Sequence, residues 1–173
     1  MVETPPNFGL QQTRASLRSA LAAEAVIRWA GDTCMRTVLI HLADATQTVV
    51  EAALTQSYPG QADPWIAYES DDPVLYIRVG SSQNELEPDE LHRLRTTLGE
   101  RVTTVSADVS GRHAGDLAVR SLVSDLLTRF RGLAQDDYTS HFWTLREIQA
   151  STTVEGHPFF DYAGWHSSNT EER

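Results

Sequence analysis

The chain has 173 residues, one domain's worth, with 24 acidic against 14 basic residues, a net charge of −10 and a single cysteine. Every base is arginine, so there is no lysine-rich patch for nucleic-acid phosphates, and the charge balance repels such polymers. A lone Cys34 cannot pair within the chain, no apolar run reaches the ~20 residues of a membrane-spanning helix, and the stretch MVETPPNFGL lacks the basic-then-apolar order of a secretory leader; the expectation is a cytoplasmic protein with neither a membrane nor a nucleic-acid partner.

Residues 1–9 read as a loose tail. Leu10, Leu17, Leu21, Ala25 and Trp29 lie near one face of a helix over 10–30 that Gly31 ends. Thr37–Leu42 has the β-branched apolar density of a buried strand, and 44–56 reads as a helix with Val49, Val50, Ala53 and Leu54 inward. Trp65–Glu69 and Val74–Val79 read as a hairpin joined through Ser70-Asp71-Asp72-Pro73. Pro88-Asp89-Glu90 opens a helix that ends near Gly99, with Leu91, Leu94 and Leu98 at helical spacing, and 101–109 alternates like a strand.

The order β-α-β-β-α-β predicts an α+β fold of ferredoxin-like, split βαβ type, two helices covering one face of an antiparallel sheet. A long amphipathic helix over Asp116–Leu133 follows, its stripe formed by Val119, Leu122, Val123, Leu126, Leu127, Phe130 and Leu133. One domain over 1–173 is expected, with 1–9 and 167–173 as tails.

The stretch from Asp136 to Trp165 holds Tyr138, Phe142, Trp143, Phe159, Phe160, Tyr162 and Trp165, half of the chain's aromatic residues. Tyr138–Trp143 reads as a short strand. Thr144-Leu145-Arg146-Glu147 has capping-box spacing for a short helix. Gly156 and Pro158 then mark a turn into a strand over Phe159–Tyr162. So many rings in one stretch close a core, form a contact surface, or do both.

Phosphate loops, nucleophile elbows, HExxH, paired CxxC and calcium loops are all missing from the sequence, so the reading leans away from an enzyme and assigns no catalytic residue, cofactor or metal. His141, His157, Asp161 and His166 could converge on a ligand, although their spacings match no standard site and turn residues of these types usually make local hydrogen bonds. His41 reads as a hydrogen-bonded core or edge histidine and not a catalyst, Cys34 as an inert thiol, His92 as part of a solvated helix face and His113 as a loop residue.

The acids are more telling. Asp63, Glu69, Asp71, Asp72, Glu85, Glu87, Asp89 and Glu90 face a single base, Arg78, over 63–90. Solvated loops and a helix N-terminus account for part of this excess. The functional reading is a negative surface that steers a basic partner, with Tyr162 and Trp165 as its aromatic anchors.

A small acidic α+β chain without catalytic signatures, closing on FWTLREI and EGHPFFDYAGW, resembles the standalone immunity proteins of bacterial polymorphic toxin systems. That resemblance implies a stoichiometric inhibitor that covers a cognate toxin and has no catalytic residues. Two alternatives stand beside it. One is a small-molecule binder or enzyme with a pocket between the sheet and the aromatic stretch; the other is a structural or adaptor subunit, such as a homodimer through an open sheet edge. Fold order does not choose among them.

Overall fold

A computed structural model of the chain describes residues 36–80 and 86–171. The expected N-terminal helix, Cys34 and Glu85 lie outside the described residues.

Five antiparallel strands form one sheet: β1 (Arg36–Ala43), β2 (Trp65–Glu69), β3 (Asp72–Gly80), β4 (Val102–Val109) and β5 (Gly132–Asp136), in the order β2-β3-β4-β1-β5. The helices are α1 (Gln47–Ser57), α2 (Pro88–Leu98), α3 (Asp116–Arg129), α4 (Leu145–Gln149) and α5 (Tyr162–Glu171); β6 (Thr153–Val154) and β7 (His157–Pro158) make a small separate hairpin. The chain is thus α+β, and from β1 to β4 its elements follow the expected order.

Their lateral arrangement differs. A split βαβ unit joins parallel strands across its first helix, whereas here β4 lies between β3 and β1 and pairs antiparallel with both. It follows from these pairings that β1 and β2, the strands joined through α1, run in opposite directions.

Nor do the two helices share a face. Val38, Ile40 and Leu42 of β1, Leu75, Ile77 and Val79 of β3, and Val105, Ala107 and Val109 of β4 pack against Val50 and Leu54 of α1 and the Val119-to-Leu127 stripe of α3. Leu94 and Leu98 of α2 instead join Ala43 and Leu133 in a second cluster on the opposite side, edged by Val102 and Phe142. The cause lies in β1, which is buried on both faces over its second half.

Three further expectations are corrected. Val49 is half exposed, because Val50, Ala53 and Leu54 already fill the inward stripe of α1. The long helix stops at Arg129: Phe130 takes an extended conformation, and Leu133 points from β5 into the second cluster instead of extending the helical stripe. At the C-terminus α5 runs to Glu171, where a frayed tail was expected from 167.

Candidate functional site

The β2–β3 hairpin turns on Ser70 and Asp71, both with positive φ (49° and 71°). Two consecutive positive values give the type I′ turn, whose twist suits flanking strands, and the turn is two residues shorter than the four-residue link expected. Asp63, Glu69, Asp71 and Asp72 are exposed, and none makes an ion pair among the described residues. Arginines elsewhere are engaged with other acids: Asp44 takes Arg101 and Arg131 at 3.3 Å each, and Asp125 takes Arg129 at 3.0 Å. Between the unpaired acids stands Tyr68, 54% exposed. Sequence reasoning missed Tyr68; the available signal was an aromatic one step from a predicted acidic turn.

The other acids are elsewhere. Glu87 is the exposed N-cap of α2, Asp89 is exposed on its first turn, and Glu90 is half-buried. The Glu87 N–H donates to Glu90 Oε2 at 3.2 Å, the return arm of a capping box, while Glu90 Oε1 accepts from Gln135 Nε2 at 2.9 Å. Gln135 lies on β5, the sheet edge opposite β2. The described acids form one run in sequence but are divided in space between the β2–β3 side of the sheet and the start of α2.

The aromatic stretch turns inward. Trp143, Phe159 and Phe160 are buried in the main core, and Trp143 meets Phe159 edge-on with centroids 5.8 Å apart. The expected strand over Tyr138–Trp143 reduces to one bridge, in which Trp143 and Ala134 exchange backbone bonds of 2.7 and 2.9 Å. Asp136 is responsible: its Oδ1 accepts the N–H groups of Tyr138 (3.3 Å) and Thr139 (3.1 Å) and bends the chain away, and its Oδ2 accepts Phe160 N–H at 2.9 Å. No strand forms over Phe159–Tyr162 either. Phe160 has φ 51°, and Asp161 Oδ1 accepts Gly164 N–H at 3.0 Å, which starts α5.

Tyr162 and Trp165, the expected anchors, are both half-buried on α5. The Arg36 guanidinium sits 3.9 Å above the Tyr162 ring and donates to the carbonyls of Ala114 (2.8 Å) and His113. Trp165 stacks between Tyr138 (5.7 Å, 12°) and His157 (4.3 Å, 29°). These rings hold the C-terminal helix to the sheet end.

The histidines form local pairs. His157 Nδ1 lies 3.1 Å from Asp161 Oδ2, and this bond, with that from Gly164, holds the Asp161 carboxyl below its usual pKa. Gly164 fits because a Cβ there would overlap the Asp161 carboxylate. His141 Nε2 lies 3.3 Å from Glu147 Oε1. Burial works against ionisation of Glu147, but the Thr144 N–H (2.8 Å) and hydroxyl (2.7 Å) outweigh it and lower the pKa, and complete the expected cap of α4. The His166 side chain lies outside the described residues. Among those residues no three His, Cys, Asp or Glu side chains gather as a metal site.

His41 is fully buried against Phe142, with Nδ1 3.0 Å from Thr104 Oγ1. Burial lowers its pKa to about 4, the neighbouring Gln135 side chain offsetting this in part. Two open recesses, one bordered by Asp44, Arg101 and Thr103 and one by Leu91, His92 and Arg95, indent the surface away from the aromatic stretch. Among the described residues no helix is long and apolar enough to cross a membrane. The chain matches no protein-family model, no curated protein and no solved structure.

Proposed function

We propose that the protein is a stoichiometric inhibitor of the immunity type, which binds a basic protein partner and covers it without catalysing a reaction. The observation that carries this reading is the β2–β3 edge, where four exposed acids without ion-pair partners among the described residues flank a half-exposed tyrosine. Unpaired carboxylates attract a basic surface at long range, and a tyrosine offers contact area with a polar tip. On this reading the contact surface lies on the hairpin, and Tyr162 and Trp165 serve the packing of α5. A small-molecule pocket draws no comparable support, because the rings it would need pack on one another.

The test is capture from the native cell with the tagged full chain, identification of the captured protein, and assay of that protein's own activity with increasing amounts of the inhibitor. The expected result is a basic partner whose activity is lost at one equivalent and whose retention weakens as salt rises. A captured protein that stays fully active, or a purified chain that turns over a small molecule, would sink the reading.

A further inference from the structure

β2 is the outermost strand of the sheet among the described residues, and part of its outer side is occupied by the chain itself. Gln61, in the loop before β2, folds its side chain back along the strand. Its Oε1 accepts the Ile66 N–H at 2.6 Å and its Nε2 donates to the Ile66 C=O at 3.1 Å. A carboxamide is chemically a peptide group. Those two bonds to one residue are the pair that a residue of a neighbouring antiparallel strand makes.

Strand geometry extends the point. Outward and inward backbone directions alternate along β2, so with Ile66 facing out, Trp65 and Ala67 face β3 at Ile77 and Leu75. The register shift between Ala67 and Tyr68 is a bulge on β3, where Val74 is skipped, so β2 itself keeps its alternation and Tyr68 faces out again. Opposite Tyr68 is Pro73, which has no N–H to give, at a place where the ladder asks for none. The outer edge therefore offers two sets of backbone groups two residues apart, one held by Gln61 and the next beside the exposed Tyr68 ring. Asp63 lies before this edge and Glu69, Asp71 and Asp72 after it.

We infer that the outer edge of β2 is a strand-docking site, on which an extended, basic segment of the partner protein takes the place of the Gln61 carboxamide at Ile66 and continues alongside Tyr68. This rests on the proposed inhibitor function and names its mode of contact. Backbone pairing supplies the register and the acids at both ends of the edge select positive side chains. Gln61 has a second effect in the free protein: it closes an edge that would otherwise be open to indiscriminate strand pairing. The partner must displace it, so the wild-type edge admits only segments whose charge adds to their backbone bonds.

The experiment uses three capped ten-residue peptides: alternating Arg and Val, alternating Glu and Val, and the Arg–Val sequence N-methylated at every residue, so that neither alternate set of N–H groups can pair. Affinities for the full chain are measured by calorimetry, and backbone amide signals by NMR. The Arg–Val peptide is expected to bind, to shift the Ile66 and Tyr68 amides and to slow their exchange, while the Glu–Val peptide leaves them unchanged. Gln61→Ala removes the two bonds that the peptide must break and should bind about tenfold more tightly. Tyr68→Pro removes an outward N–H without touching the ladder to β3 and should bind about tenfold more weakly, which keeps a test in hand if Gln61→Ala does not fold. Equal binding of the N-methylated peptide would leave charge attraction as the whole interaction and overturn strand docking, with the inhibitor reading intact. Absence of binding, or amide shifts confined to residues away from β2, overturns strand docking as well; the inhibitor reading stands or falls separately, on the activity assay of the captured partner.

Discussion

His41 sits at 0% exposure with its ring edge-on to Phe142 and one nitrogen on the Thr104 hydroxyl, while Nε2 has no partner within hydrogen-bond distance among the described residues, the Gln135 side chain being its polar neighbour. A protonated ring there would be a buried charge, which is why the pKa falls to about 4. The unfolded chain, with an ordinary histidine near 6.5, binds that proton more readily. Stability linked to His41 is therefore fully present above about pH 6.5 and is lost as pH falls towards 4, in total about 3 kcal/mol from a shift of this size. Glu147 and Asp161, with lowered pKa, also lose stability in acid, and Asp137, raised mainly by burial, works the other way. All three are common to wild type and a His41→Leu variant, so the comparison isolates His41. Urea unfolding at pH 7 and pH 4 should show wild type losing about 3 kcal/mol more than the variant; parallel losses would place the ring in a more solvated setting than the structure gives it. The core role of His41 was legible in TVLIHL. Its polar surroundings were not, because Thr104 and Gln135 come from strands paired to β1 far along the chain.

At the scale of elements, sequence periodicity served best where a stripe was long and unbroken, as from Val119 to Leu127. It failed at the end of that stripe. Phe130 and Leu133 keep helical spacing, yet the chain leaves the helix and enters β5, the strand that no sequence signal announced. The local reason is Gly132, whose backbone lies so close to β1 that a Cβ would overlap the His41 carbonyl and press within 3.0 Å of the Leu127 and Leu42 side chains. This gives a prediction with a decisive sign. In a helix running to 133, Gly132→Ala would stabilise by about 1 kcal/mol. In a strand packed this tightly it should destabilise by about 1 to 3 kcal/mol, as measured by urea unfolding at neutral pH. The aromatic stretch failed for a related reason: its β-like composition was real, but Asp136 draws the Tyr138, Thr139 and Phe160 N–H groups to one carboxylate and leaves a folded loop where strands were expected.

For the whole molecule, chain order did not reveal which strands are neighbours, and that decides how the acids are distributed. Pairing runs from β3 through β4 and β1 to β5, so the hairpin acids and the Glu90–Gln135 contact are three strand spacings apart across the sheet, about 14 Å. Along the strands, Asp72 lies three residues before Leu75, which is level with Arg36, and Gln135 is level with Leu39, which adds about 20 Å. At physiological ionic strength charges are screened beyond about 8 Å, whereas at 0.01 M they act over about 30 Å. A basic partner docked on β2 should then distinguish the two groups. Neutralising Asp71→Asn with Asp72→Asn should slow association several-fold at 0.15 M salt, with dissociation changed less, since rim charges act mainly on the encounter. Glu87→Gln with Asp89→Asn should leave both rates nearly unchanged at that salt and slow association only when salt is lowered to 0.01 M. Stopped-flow association of the captured partner with each double variant at the two salt concentrations measures this directly. If the α2 pair mattered as much as the hairpin pair at 0.15 M, the partner would have to span both sheet edges, and a contact centred on β2 would be too small to describe the complex.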